Sequence, residues 1–160
     1  MNPLTAIRQN HALEHATVAV LLRRYGPLRI IGRSTPGGFY LYGDVPTAGV
    51  EEATYEGLRR LQGGESHLAI SPMCGTNIAV AGILTGLGYA MSMGRRTRIT
   101  RLPNAFTATL AALVLSTPAG HLAQKWITTT GDLTGLSIVA VERSGKGKRT
   151  IHRVRTQQSR

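Results

Sequence analysis

Pro3-Leu-Thr-Ala-Ile-Arg-Gln-Asn-His11-Ala-Leu-Glu-His15-Ala-Thr-Val-Ala-Val-Leu-Leu-Arg-Arg-Tyr25 reads as one helix, stopped by Gly26-Pro27, which a helix does not comfortably continue through. Leu4, Ile7, Val18, Leu21, Leu22 and Tyr25 recur at helical period, and the middle of that stripe falls on His11, Glu14 and His15. Residues four apart share one helix face, so His11 and His15 can offer two imidazole nitrogens to one metal ion. Glu14 lies beside them, where a carboxylate serves as general base on water activated by the metal or holds a ligand from behind. The alternative is a buried, hydrogen-bonded cluster in which Glu14 pairs with a histidine or an arginine. Three titratable groups on an apolar stripe are costly without such compensation.

The spacing H-x-x-E-H resembles the inverted zinc motif of insulinase-type metallopeptidases. That resemblance implies zinc ligation by His11 and His15, with Glu14 as the base. Those peptidases take a third ligand from a glutamate far downstream on another helix. Here no acidic residue occurs between Glu65 and Asp132, so the third ligand must be of another kind. Cys74, in the turn Ser71-Pro-Met-Cys-Gly-Thr-Asn77, completes such a site as a thiolate, or else is a small buried residue at a junction. Glu65 and His67 are the other candidates nearby. Three protein ligands leave one position for water, as catalytic zinc requires, whereas a fourth would argue for a structural ion.

The net charge is +11, unevenly spread: residues 1–74 carry seven basic and six acidic groups, residues 95–101 four arginines, and residues 125–160 eight basic against two acidic. A nearly neutral front with a basic loop and tail favours anionic lipid headgroups or plain solvation over a nucleic-acid face. Cys74 is the single cysteine, so no internal disulfide forms. The first apolar helix carries His, Glu and Arg, unlike a signal peptide.

Beyond the first helix, Leu28–Ile31 and Phe39–Tyr42 are β-prone runs across a Gly/Pro-rich loop containing Gly37-Gly38, which reads as turn chemistry rather than a phosphate-binding loop. A second helix is expected from Thr47 or Ala48 to about Gln62, with Glu51 and Glu52 in its first turn and Arg59 and Arg60 in its last. Glu65 to Ile70 reads as a third strand. The order α-β-β-α-β predicts a small α+β two-layer sandwich over residues 1–74. Residues 77–93 and 102–123 carry no charge and flank the basic loop of Arg95, Arg96, Arg98 and Arg101, a pattern that predicts a transmembrane helical hairpin over residues 75–126. Gly82, Gly86 and Gly88 suit close helix packing, and Lys125 and Trp126 an interfacial anchor. A soluble hairpin buried in an oligomer is the alternative. Residues 127–160 read as a basic β-hairpin that could extend the first sheet, with 156–160 frayed.

Taken together, the His-x-x-Glu-His-Ala helix, Gly-Gly-Phe-Tyr-Leu-Tyr-Gly-Asp-Val and Cys-Gly-Thr-Asn before a hydrophobic hairpin resemble a bacterial membrane-associated domain family of unknown function, over roughly residues 8–95. The resemblance implies that the His/Glu/His motif and the Cys-Gly-Thr-Asn turn belong to one arrangement. It also implies a histidine before the proline of that turn, where this chain has Ser71. The expectation is a small integral membrane protein, its main domain cytoplasmic, with a zinc-type site of His11, His15 and Cys74, Glu14 as base, and hydrolysis, such as of a peptide near the membrane, as its activity. The competing expectation is a non-catalytic, membrane-anchored scaffold whose polar cluster is structural and whose hairpin meets partner helices or further copies of the chain. Nucleic acid is the weakest partner.

Overall fold

The computed structural model describes residues 2–94, 99–145 and 147–159, without the side chain of Lys148. Arg95, Arg96 and Arg98 of the basic loop, and Lys146 of the C-terminal turn, lie outside the described residues. The chain divides into two compact units, residues 1–71 with 125–160 and residues 72–124.

In the first unit, α1 (Pro3–Tyr25) starts at Asn2, whose side chain accepts the Leu4 N–H at 3.0 Å, and stops at Gly26. These are the start and stop that Asn-Pro and Gly-Pro encode. Its burial is wider than one stripe. Leu4 and Tyr25 are exposed, whereas residues 12–17 are all buried, because the sheet covers one side of α1 and α2 (Thr47–Gln62) the other. At the α1/α2 contact Gly57 has no room for more: an added Cβ would lie 3.1 Å from Ala16 Cβ. Leu13, Leu21, Phe39, Val50, Leu61 and Val154 form the centre of the core.

The first strand lies later than its β-prone residues suggest. β1 (Ile31–Thr35) pairs with β2 (Gly38–Tyr42) across a tight turn at Pro36-Gly37, so Gly32 to Thr35, expected as loop, are strand. Glu51 and Glu52 sit past the first turn of α2. Arg24 instead pairs with Glu52 and, at 3.1 Å, with Glu56. The third strand expected at residues 65–70 is corrected: Ser66–Ala69 is a short 3-10 helix, held at its start by the fork of Arg60 on Glu65 at 2.9 and 2.6 Å and burying the adjacent Leu68 and Ala69. A strand would send those two neighbours to opposite faces.

The remaining sheet positions go to the C-terminal hairpin of β3 (Leu136–Ser144) and β4 (Ile151–Gln158), giving an antiparallel sheet of order β1-β2-β4-β3. The α+β class therefore stands, with β4 pairing β2. Residues 156–158, expected to fray, are strand, and Thr156 Oγ1 donates to Asn10 Oδ1 at 2.7 Å.

His152, on the helix side of β4, is fully buried, with Nε2 3.3 Å from Thr47 Oγ1 and Nδ1 unpartnered among the described residues. Burial, and secondarily the Arg143 guanidinium, pushes its pKa down. The folded chain thus refuses a proton that the unfolded chain takes up near pH 6.5, so this contribution to stability is intact above that pH and falls as pH drops toward the folded value. Thermal unfolding between pH 7 and 5 should show a slope of at most about 1.4 kcal/mol per pH unit from this group, removed in His152→Gln.

The second unit is the hairpin of α3 (Gly75–Met93) and α4 (Leu102–Ala123), both long and apolar enough to cross a membrane. Gly88 meets α4 closely, an added Cβ there lying 3.1 Å from Ala108 O and 3.4 Å from Ala112 Cβ. Ile78, Leu87 and Met91 on α3 and Phe106, Leu113 and Val114 on α4 are exposed. Four of the hydroxyls that lower the hydropathy are satisfied within their own helices: Thr85 donates to Ala81 O at 2.7 Å, Ser92 to Gly88 O at 2.8 Å, Thr107 to Pro103 O at 3.0 Å and Ser116 to Leu113 O at 2.6 Å. Such internal bonds make polar side chains tolerable in an apolar surrounding.

Candidate metal centre

His11 and His15 project from adjacent turns of α1 with ring centroids 4.4 Å apart and planes tilted by 60°. His15 is buried and His11 half-buried. Each ring is fixed by one nitrogen. His11 Nδ1 lies 2.9 Å from Thr128 O, and His15 Nδ1 lies 2.8 Å from Ala69 O. A carbonyl only accepts, so both Nδ1 atoms are the donors, and in the neutral rings both lone pairs reside on Nε2. Histidines that bind metals are oriented in this way, the second nitrogen donating to a backbone carbonyl or carboxylate.

The two carbonyls are themselves held. Ala69 closes the 3-10 turn anchored by Arg60 and Glu65. Thr128 ends the π-helical turn Gln124–Thr128, and Arg8, one turn before His11, grips the chain on both sides of it: Nε and Nη2 donate to Thr129 O at 3.0 and 2.8 Å, and Nη2 to Trp126 O at 3.3 Å. Arg8 joins the site through this grip, a role its spacing alone did not mark.

Glu14 is buried and turned toward β1. Ser34 Oγ donates to its Oε2 at 2.5 Å, and a Cβ on Gly32 would overlap its carboxylate. A lone glycine inside a strand is a mark of such a close approach, and Gly32 in β1 carries it.

In the second unit Cys74 caps α3: it is buried, and Sγ accepts the Thr76 N–H at 3.4 Å. The helix N-terminus favours negative charge on that sulfur. Of the three expected ligands, His11 and His15 lie in the first unit and Cys74 in the second. Two imidazoles and a thiolate are a donor set that suits zinc. The two other candidates are placed differently. Glu65 is held by Arg60, whose hydrogen bond keeps its carboxyl below the usual range, and His67 is exposed.

The model of a domain of unknown function, DUF6391, matches residues 6–141. An uncharacterised protein of the cyanobacterium Picosynechococcus sp. (strain PCC 7002) is 39% identical over 140 residues, covering 81% of this chain and 68% of that protein. No solved structure matches. The family of unknown function expected from the three ordered motifs thus has a match spanning all of them, and the chain belongs to the DUF6391 family.

Proposed function

We propose that the protein is a membrane-anchored metalloprotein in which His11, His15 and Cys74 hold a zinc-type ion, and that the centre is hydrolytic, acting on a bond such as a peptide near the membrane. The observation that carries this reading is the pair of carbonyl locks on two adjacent rings, which make Nδ1 the donor in each and so make Nε2 the nitrogen that would ligate an ion. A zinc-type ion held by three protein ligands would supply Lewis-acid chemistry and lower the pKa of a bound water toward neutrality. Glu14, three residues after His11 and next to His15, would serve as the base there, and Ser34 Oγ–H positions its carboxylate. The apolar surfaces of α3 and α4 support anchoring, and a cytoplasmic site would keep the single thiol reduced.

One observation favours the scaffold as second reading: Glu14 is packed against Gly32 and bonded by Ser34, as a purely structural carboxylate would be. The test is elemental analysis of the detergent-purified chain beside His15→Ala, followed by Glu14→Gln assayed on a fluorogenic peptide library. About one ion per chain, lost in His15→Ala, with hydrolysis lost and metal kept in Glu14→Gln, supports the catalytic reading. No metal in the parent after zinc loading overturns the centre. Metal without hydrolysis leaves the scaffold.

A further inference from the structure

The sheet of the first unit has one face turned to the helices and one turned away. Phe39, Leu41, His152 and Val154 face α1 and α2, so alternation puts Tyr40, Tyr42, Arg153 and Arg155 on the outer face. Strand register then aligns Arg33, Tyr40, Arg153 and Glu142 in one row across all four strands, and Ile31, Tyr42 and Ile151 in a neighbouring one. The Arg153 guanidinium lies 5.8 Å over the Tyr40 ring. Glu142 contacts Arg155 at 3.5 Å, and among the described residues Arg33 and Arg153 have no ion pair. The face thus carries three guanidiniums to one carboxylate, interleaved with two tyrosines and two isoleucines.

We infer that this outer face docks on the anionic phosphate headgroups of a phospholipid bilayer. Guanidinium forks match phosphate geometry, while tyrosine rings and aliphatic side chains suit the headgroup boundary, where a ring is half wet. Seven residues lie between Thr128, at the end of the turn that follows α4, and the start of β3. At no more than about 3.5 Å per residue, this connection spans at most about 30 Å and is a short tether. A tether of that length makes individually weak, salt-screened contacts effective. The inference rests on insertion of α3 and α4, and it adds a second, electrostatic attachment that responds to lipid charge.

The test reconstitutes the full chain in nanodiscs of phosphatidylcholine alone or mixed with phosphatidylglycerol, each with a trace of lipid carrying a gadolinium-chelating headgroup. Paramagnetic broadening of the Tyr40 and Tyr42 ring signals is read against Tyr55, exposed on α2. Severalfold greater broadening at Tyr40 and Tyr42 in the phosphatidylglycerol discs is expected, falling to the phosphatidylcholine level in high salt and in Arg33→Gln/Arg153→Gln/Arg155→Gln. Equal broadening in both discs, or broadening that survives the triple variant, overturns docking. So does a response of the two rings to single-stranded oligonucleotide alone, which would mark a nucleic-acid face. Failure to co-elute with phosphatidylcholine discs would count against insertion instead. Flotation with phosphatidylglycerol vesicles then decides docking alone, supported by binding of the parent but not the triple variant and overturned by binding of neither.

Discussion

Gly38→Ala should cost the first unit about 3–5 kcal/mol, while Gly37→Ala next to it should change stability by less than about 0.5 kcal/mol. The two glycines look equivalent as a turn dipeptide. In the fold only Gly38 is constrained: its φ is +134°, a conformation L side chains rarely adopt, and an added Cβ would overlap the Val154 carbonyl oxygen while lying 3.0 Å from Val154 C and 3.1 Å from Arg155 Cα. These are backbone atoms of β4, so relief requires β2 and β4 to part, and that pairing joins the C-terminal hairpin to the sheet. Around Gly37 nothing lies within 4 Å of the added carbon. Thermal unfolding of both variants, followed by tyrosine signals from the sheet, checks this. Equal stability of the two would mean that β2 and β4 do not pair in this register.

Helices were legible wherever an end carried its own chemistry. Asn2 and Gly26 bound α1, Gly63 ends α2, and uncharged stretches delimit α3 and α4, each a local signal that tertiary contacts do not override. Strands were less legible because pairing is non-local. Leu28 to Ile31 has the β-prone residues, yet β1 runs on through Gly32 to Thr35, whose partners on β2 set its extent. Residues 65–70 failed as a strand for a related reason. Their alternation is weak, and the Arg60–Glu65 fork, with the burial of both Leu68 and Ala69, settles a tight turn that composition does not announce.

In the candidate site, the four-residue spacing was sufficient to place His11 and His15 on one face of α1. What orients them lies far along the chain: the carbonyls of Ala69 and Thr128 are 54 and 117 residues from their histidines. No local pattern encodes that a backbone oxygen will arrive there. The Arg8 grip on Trp126 and Thr129 is equally remote, and Gly32, opposite Glu14, falls in a stretch that reads as loop, so only the pairing of β1 with β2 marks it as a glycine inside a strand. Spacing thus places the two rings together, and tertiary structure sets the tautomers that a ligand role would require.

Cys74→Ser should weaken metal affinity by more than the ten- to hundredfold that loss of an outer hydrogen-bond partner typically costs, and should do so without disturbing α3. Serine is a stronger helix cap than cysteine, so its hydroxyl keeps the bond from the Thr76 N–H that Sγ now accepts. What it removes is the soft, anionic donor. Substituting cobalt(II) makes the ligand visible, because a thiolate on the metal gives an intense near-ultraviolet charge-transfer band that an alcohol does not. The parent should show that band, Cys74→Ser should lose it, and His15→Ala should lose cobalt binding altogether. A band surviving in Cys74→Ser would remove the thiol from the site and leave His67 or Glu65 as third ligand. Glu65 would first have to leave Arg60, whose hydrogen bond favours its charged form, so a site built on it should weaken as the pair is kept and strengthen in Arg60→Gln. A thiol-built site should be indifferent to that change.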